Sequence, residues 1–175
     1  MIPGNHDVVI RSAAPADAGA VARVYNHYIA DTIITFEEDP VSAGEMAERI
    51  REVQSAELPW LVAVREEEIL GFAYAGKWKG RCAYKFSVET TVYLDPGQTS
   101  RGLGSLLYGA LLPALKNQNI HAAIGGIALP NEASVALHEK FGFVKVAHFR
   151  EVGFKLDRWI DVGYWQCLLE PGDAA

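Results

Sequence analysis

The sequence has little cysteine and no long apolar segment. Its 175 residues include only two cysteines, Cys82 and Cys167, which lie far apart, and no apolar leader precedes them. This usage leads us to expect a reducing, cytoplasmic setting. No run reaches the roughly 20 apolar residues that a membrane-spanning helix needs, so we expect no membrane partner.

An excess of positive charge is also missing. Sixteen lysines and arginines stand against 22 acidic residues, which gives a net charge of −6. This balance excludes a general affinity for nucleic acid, so any anionic ligand must be bound locally. The five histidines and two cysteines show no metal-ligand spacing, and there is no Gly-x-Ser-x-Gly elbow. The sequence therefore predicts neither a metal cofactor nor a serine hydrolase.

The sequence does contain the patterning of one α/β domain. Half of its residues are hydrophobic, and the length suits a single domain over residues 1–175, with a core of about 7–170. Alternating and helical periodicities follow one another along the chain. The predicted strands are 8–10, 60–64, 69–75, 84–94, 120–129 and two that start at 143 and 162, and the predicted helices start at 15, 42, 103 and 131.

A glycine-rich turn joins the strand that ends at Leu94 to the next helix. Gly97, Gly102 and Gly104 let backbone N–H groups approach a ligand, and the helix N-terminus adds further donors. The turn is therefore either a phosphate or pyrophosphate site or a tight connection without a ligand, and the glycines alone do not decide between the two. A Walker A loop would need a lysine after Gly104, and a dinucleotide fingerprint would need a glycine where Leu107 stands, so both are excluded.

Separated motifs carry a resemblance to a known family. The run Arg101-Gly102-Leu103-Gly104 follows a Val-Tyr-Leu strand, and a later segment reads Asn131-x-x-Ser134-x-x-Leu137-His138-Glu139-Lys140-Phe141-Gly142-Phe143. Together they resemble the acetyl-CoA-binding core of the GCN5-related N-acetyltransferases, abbreviated GNAT. Further motifs at 25–28, 35–37, 76–81, 87–93 and 153–155 are similar to the phosphinothricin and methionine sulfoximine acetyltransferase subfamily.

The resemblance implies a fold and a cosubstrate. The fold would be a single-domain GNAT-type acyl-CoA N-acyltransferase fold, an α/β structure with a mixed central sheet of about seven strands flanked by about four helices. Acetyl-CoA would be the cosubstrate, with its pantetheine arm along the strand end and its pyrophosphate in the glycine-rich loop. The residues implied in its binding are Val92, Tyr93, Leu94, Ser100, Arg101, Gly102, Leu103, Gly104, Ser105, Asn131 and Ser134. The subfamily also implies a homodimer.

Glu89 is the candidate general base. It stands in mid-strand between Ser87 and Thr91 on the polar face, so its carboxylate faces either solvent or a cleft. Periodicity alone favours a solvated strand face. The resemblance implies instead that this glutamate removes the proton of the acceptor ammonium group.

His138 is the second candidate catalytic residue. Helical spacing places it on the same side of the last helix as Asn131 and Ser134, opposite Ala136 and Leu137, which predicts a histidine outside the packed core. Spacing alone favours a surface histidine. The resemblance implies an acid or proton shuttle at the departing thiolate.

A cluster of positive charge marks a candidate substrate loop. Lys77, Lys79, Arg81 and Lys85 place four cations within nine residues. They predict either a hydrated loop or a site for a substrate carboxylate or phosphinate, for which the planar guanidinium of Arg81 is the best donor. The candidate substrate-binding residues are Phe36, Lys79, Arg81, Ser87 and Thr91.

These observations predict an acetyl-CoA-dependent N-acetyltransferase. It would transfer acetyl directly, in a ternary complex, to the α-amino group of a small amino acid or analogue such as phosphinothricin or methionine sulfoximine. Two alternatives stay open: acetylation of a peptide or protein N-terminus, and a non-catalytic CoA-binding regulatory module.

Overall fold

The computed structural model describes residues 7–99 and 102–169. Over these residues the chain forms seven strands and four helices. The strands are β1 Val9–Ser12, β2 Trp60–Arg65, β3 Glu68–Lys77, β4 Ser87–Leu94, β5 Ala122–Leu129, β6 Val144–Lys155 and β7 Arg158–Leu168. The helices are α1 Ala18–Asp31, α2 Ala43–Ser55, α3 Leu103–Asn117 and α4 Glu132–Lys140.

The strands form one mixed sheet in the order β1-β2-β3-β4-β5-β7-β6. The pairs β1–β2, β2–β3, β5–β7 and β6–β7 are antiparallel, whereas β4 and β5 run parallel. The parallel register places Glu89 of β4 beside Ile124 of β5. This mixed seven-stranded sheet with four helices confirms the predicted fold class.

Side-chain caps begin two helices where the sequence predicts them. Ser42 Oγ accepts the Glu45 N–H at 3.2 Å, and the Glu45 carboxylate accepts the Ser42 N–H at 2.8 Å, which is the capping box of α2. Asn131 caps α4 because its Oδ1 accepts the Ser134 N–H at 3.1 Å. Pro113 lies inside α3, which continues past it.

The strand predicted from residue 84 begins three residues later. The Lys85 N–H donates to the Cys82 carbonyl at 3.2 Å, which closes a short 3-10 turn before β4. Tyr84 and Phe86 are exposed, so they do not extend the apolar face of the strand as predicted. Burial alternates only at the start of the strand, where Val88 is 1% exposed and Thr90 is 3% exposed, and residues 91–94 are all half-buried.

Chain contacts divide the structure into two compact units. The first holds 1–26, 41–75 and 91–114, and the second holds 27–40, 76–90 and 115–175. The buried side chains of the first unit include Val21, Met46, Ile50, Leu70, Phe72, Leu107 and Leu111, and those of the second include Val88, Leu115, Phe143 and Trp165. The single domain that the sequence predicts stays a prediction.

Within the described ranges, none of the helices combines the length and apolar character that crossing a membrane requires. The same residues contain no group of three or more histidine, cysteine or acidic side chains arranged to hold a metal ion.

Candidate active site

The carboxylate of Glu89 lies over a glycine of the neighbouring strand in the second unit. A Cβ built at Gly126 of β5 would lie 3.2 Å from Glu89 Oε1, so the absence of a side chain there makes room for the carboxylate. Glu89 is half-buried. Burial raises the pKa of its carboxyl above the ordinary value, and the positive charge of Lys79 offsets part of this rise. The result is a carboxylate with more basic character than one in water.

Tyr164 lies beside this carboxylate, and two further aromatic rings pack against Tyr164. Tyr164 of β7 lies opposite Gly126 in the β5–β7 register, and a Cβ at Gly126 would be 3.1 Å from Tyr164 Cε1. The ring of Trp78 meets the Tyr164 ring edge-on with centroids 5.7 Å apart, and Phe149 does the same at 5.8 Å. Burial raises the pKa of Tyr164, and the negative charge of Glu89 adds to the rise. Tyr164 therefore stays protonated at neutral pH.

Trp78 and Tyr164 belong to this site, and our reading of the sequence assigned neither to it. The signal that could have found them is the pair Gly125-Gly126 in the middle of a predicted strand. Glycine in a strand interior marks a close approach by another group.

His138 lies on the other face of β5. A Cβ built at Gly125 would overlap its imidazole, 2.6 Å from Cδ2. Because successive side chains of a strand point to opposite faces, the imidazole at Gly125 and the carboxylate at Gly126 lie on opposite sides of β5. The structure therefore does not bring the two predicted catalytic groups together on one face.

The prediction that His138 lies outside the core is wrong. It is 3% exposed, and its ring packs edge-on against Phe143 at a centroid distance of 5.0 Å. The side of α4 that carries His138 faces β5. Gly125 of β5 has no side chain, so the imidazole fits there. Nδ1 lies 2.8 Å from the Ser134 carbonyl oxygen, and a carbonyl only accepts, so Nδ1 carries the hydrogen. Burial lowers the pKa of His138, and the Ser134 carbonyl opposes this only in part.

The predicted substrate residues of the second unit fall into separate places. Lys79 Nζ lies 4.8 Å from the Trp78 ring centroid and acts electrostatically on Glu89. Arg81 is exposed in the loop before β4, and Lys85 lies over the Phe86 ring at 4.9 Å. The four cations therefore do not form one cluster on Glu89.

Two other predicted substrate residues lie apart in the second unit. Ser87 is half-buried, and its carbonyl accepts the Trp78 N–H at 3.3 Å. Phe36 is 42% exposed, and its ring rests on Gly153 of β6, where a Cβ would be 2.7 Å from Phe36 Cε2.

The predicted pyrophosphate loop belongs to the first unit. Gly102 has φ +79°, a left-handed conformation that favours glycine, and its carbonyl accepts the Leu106 N–H at 3.1 Å as the first bond of α3. Leu103 is buried, and Gly104 and Ser105 lie in the first turn of the helix. Ser100 and Arg101 lie outside the described residues.

The turn before this loop is fastened by Asp95. Its carboxylate accepts the Gly97 N–H at 3.0 Å and pairs with Arg23 of α1 at 2.8 Å. The Asp95 N–H donates to the Leu70 carbonyl at 2.8 Å. Arg23, which the sequence did not predict as a site residue, thus anchors the Asp95 carboxylate at the start of the predicted loop.

The end of β4 lies close to β3 in the first unit. A Cβ at Gly71 would be 2.8 Å from the Tyr93 carbonyl oxygen and 2.7 Å from Leu94 Cδ2. Thr91 and Val92 are half-buried. Asn131 and Ser134, also predicted to bind the cosubstrate, belong to the second unit, where the Asn131 side chain caps α4 by accepting the Ser134 N–H.

This arrangement suits a CoA diphosphate. A left-handed glycine followed by a helix N-terminus directs the backbone N–H groups of the first turn toward one point, and the helix dipole favours negative charge there. The residues present therefore fit acetyl-CoA. Gly102, Gly104 and Ser105 would hold its pyrophosphate, and Val92 and Leu94 its pantetheine arm.

Comparison with known proteins decides the family. Residues 10–163 match the sequence pattern described as the acetyltransferase (GNAT) domain. The chain belongs to the GNAT family. It is 40% identical to a phosphinothricin N-acetyltransferase of Streptomyces viridochromogenes over 166 residues, which are 95% of this chain and 90% of that protein.

Two further comparisons agree with GNAT membership. An L-methionine sulfoximine/L-methionine sulfone acetyltransferase of Pseudomonas aeruginosa is 31% identical, over 95% of this chain and 97% of that protein. The crystal structure of a GNAT superfamily phosphinothricin acetyltransferase from Sinorhizobium meliloti in complex with acetyl-CoA is 30% identical and matches with a TM-score of 0.90, over 95% of this chain and 94% of that one.

Proposed function

We propose that this chain is an acetyl-CoA-dependent N-acetyltransferase that acetylates the α-amino group of a small amino acid or analogue such as phosphinothricin or methionine sulfoximine. The half-buried carboxylate of Glu89, with its raised pKa, carries this proposal. The names of the relatives supply the substrate class.

Glu89 has the properties that the first step needs. The α-amino group of a free amino acid is an ammonium ion at neutral pH, so it must lose a proton before it attacks a carbonyl carbon. A glutamate with a raised pKa accepts that proton more readily than an ordinary carboxylate. Burial of this side chain limits the access of water to it, and Tyr164 lies next to it.

The anionic groups of the substrate need cations near Glu89. Lys79 is close enough to lower the pKa of this carboxylate, so it can neutralise a substrate carboxylate or phosphinate bound next to it. Arg81 is exposed in the same loop and can add a bidentate contact. Ser87 and Thr91 flank Glu89 on β4 and complete the proposed substrate residues.

Acetyl-CoA, when bound, supplies the acetyl thioester. In the proposed direct transfer the amine nitrogen forms the new bond to the acetyl carbon, the carbon–sulfur bond breaks, and the thiolate leaves. β4 contributes Glu89 near its start and the proposed pantetheine residues Val92 and Leu94 at its end.

His138 fits the role of shuttle better than that of resident acid. Its Nδ1–H is donated to the Ser134 carbonyl, so Nε2 is the accepting nitrogen of a neutral ring. With its pKa lowered by burial, this ring must gain a proton before it can give one to a thiolate.

A homodimer in the cytoplasm and a single domain are part of the same proposal. The edge strand β6 and its hairpin to β7 expose a set of apolar side chains: Val144, Val146, Phe149, Val152, Phe154, Leu156 and Trp159. An apolar sheet edge of this length invites pairing with a second copy. Sedimentation should give a dimer for the chain and a monomer for Trp159→Glu; a monomer for both at micromolar concentration would remove the dimer from the proposal.

The proposed activity is tested by following free thiol release from acetyl-CoA. The acceptors are phosphinothricin, methionine sulfoximine, the amide of methionine sulfoximine, and short peptides with free N-termini. We expect release with the two free amino acids and much less with the amide and the peptides. Thiol release with peptides alone would favour the N-terminal alternative, and binding of acetyl-CoA with no release would favour a regulatory module.

A further inference from the structure

A buried lysine ties the loop that carries Phe36 to the end of β6. Lys155 is 4% exposed. Its Nζ donates to the Thr35 carbonyl at 2.8 Å and to the Tyr28 carbonyl at 3.4 Å. Lysine is almost never fully buried without a partner, and here the hydrogen bonds go to backbone carbonyls. The cation therefore fixes backbone positions.

Two residues before the lysine, Gly153 receives the aromatic ring of the same loop. Phe36 rests on Gly153, and any side chain there would overlap the ring. Residues two apart on a strand share a face, so Gly153 and Lys155 act on the loop from one side of β6. Phe154 lies on the opposite face, where its ring meets Trp159 at a centroid distance of 5.0 Å.

The loop lies on the Glu89 face of the sheet. Ile33 packs in a buried cluster with Ala128 of β5 and Ile160 of β7. Ala128 is two residues beyond Gly126 and so shares its face, the one that receives the Glu89 carboxylate. Gly153 pairs with Ile160 in the β6–β7 register, which places it on that face as well.

The burial of a cation at this point has an energetic cost. Desolvation lowers the pKa of Lys155, and Glu38 opposes this only in part. An apolar residue of the same length would avoid the cost and would leave the two carbonyls without this donor. The cost of burying Lys155 is explained if its bond to the Thr35 carbonyl is needed to hold the adjacent Phe36 ring in place.

We infer that Lys155 is a positioning residue that sets substrate side-chain specificity, because it holds the Thr35 carbonyl so that Phe36 stays on Gly153 as a wall of the Glu89 face. The inference rests on the proposed acetyltransferase function. The ring leaves 42% of its surface exposed, and in this inference that surface contacts the side chain of the acceptor amino acid.

The kinetic test compares Lys155→Met with Lys145→Met, which removes an exposed lysine of the same strand. We expect Lys155→Met to raise KM for methionine sulfoximine about tenfold, the scale of one lost charge-assisted hydrogen bond, with kcat within about threefold and KM for acetyl-CoA unchanged. Phe36→Ala should give the same pattern, and the double variant should add little to either single change. Lys145→Met should match the parent chain.

A structural readout separates this inference from the proposed function. Hydrogen exchange of residues 30–40, measured without substrate, should speed up in Lys155→Met and stay unchanged in Lys145→Met. If the parent chain acetylates no amine but this exchange still speeds up, the proposed function fails and the anchoring stands. Unchanged exchange, or a fall in kcat with KM unaltered, would overturn the inference.

Gly153→Ala gives an independent check if Lys155→Met does not fold. A methyl group there displaces the Phe36 ring while the lysine is kept, so KM for methionine sulfoximine should rise as it does in Phe36→Ala. A KM equal to that of the parent chain would contradict the role of this contact.

Discussion

The two faces of β5 shift the pKa values of their ionisable groups in opposite directions. On the Gly126 face, burial raises the pKa of Glu89, and on the Gly125 face it lowers the pKa of His138. In both places the low-dielectric surroundings disfavour charge. The shift makes Glu89 a stronger base than an ordinary carboxylate and makes His138 a weaker base than an ordinary imidazole, with its neutral form favoured.

The largest effect should come from the Gly126 face. Glu89→Gln keeps the size of the side chain and removes its basicity, so we expect kcat for acetylation of methionine sulfoximine to fall at least about 100-fold at pH 7. Thiol release under saturating acetyl-CoA measures this. Glu67→Gln, an exposed glutamate in the β2–β3 turn, is the control and should be unaffected. A loss below about fivefold would mean that another group takes the proton.

An added methyl group should lower the free energy of unfolding more at Gly125 than at Gly126. Gly125→Ala drives a methyl into the buried His138 ring, so we expect a loss of about 1–3 kcal/mol in the free energy of unfolding. Gly126→Ala meets Glu89 Oε1 and the Tyr164 ring at just over 3 Å, so it should cost less than about 1 kcal/mol but reduce activity. Urea unfolding and thiol release measure the two effects. Equal stability losses would contradict the difference in packing between the faces.

Lys79, the cation next to Glu89, should determine the pH below which activity is lost. Lys79 lowers the pKa of Glu89, so its removal in Lys79→Met lets that pKa rise further. The acid limb of the kcat profile should therefore move to higher pH, because the base is protonated sooner as the pH falls. Lys77→Met is the matched control from the same loop. An acid limb at the same pH in Lys79→Met would separate this lysine from the base.

The smallest effect concerns stability on the His138 face. A folded pKa below the ordinary 6.5 means that the unfolded chain binds the extra proton first, so His138 costs stability as pH falls below about 6.5 and not above it. His138→Gln should make the free energy of unfolding less dependent on pH between about 5 and 7. Urea unfolding across that range measures the slope. An equally steep slope in the variant would show that other groups cause it.

The sequence predicted elements whose signals are local. The helix starts at Ser42 and Asn131 follow from patterns within a few residues of each other, and the seven-stranded mixed sheet follows from the family resemblance. The start of β4 was predicted too early because Tyr84 and Phe86 fit an apolar alternation. In the structure both side chains are exposed and both residues precede the strand, with Tyr84 in a 3-10 turn.

The environment of each site residue was harder to predict. His138 is buried because Gly125 of the preceding strand β5 leaves room for its ring, and helical spacing within α4 does not reveal that contact. Tyr164 reaches Glu89 through the register of β5 with β7, which only the folded sheet fixes, and Trp78 joins the site by packing on the Tyr164 ring. Lys155 appears in the sequence only as part of the motif at 153–155, and its hydrogen bonds to the Thr35 and Tyr28 carbonyls join segments 120 or more positions apart.

The pH profile of kcat in the parent chain and in Glu89→Gln tests the central claim most directly. With saturating acetyl-CoA and methionine sulfoximine, the parent should show an acid limb whose midpoint lies above the ordinary glutamate pKa of 4.5. In Glu89→Gln that limb should disappear, and the residual rate should rise with pH as the amine loses its proton to water. A Glu89→Gln variant that keeps the parent's acid limb would contradict the assignment of Glu89 as the base.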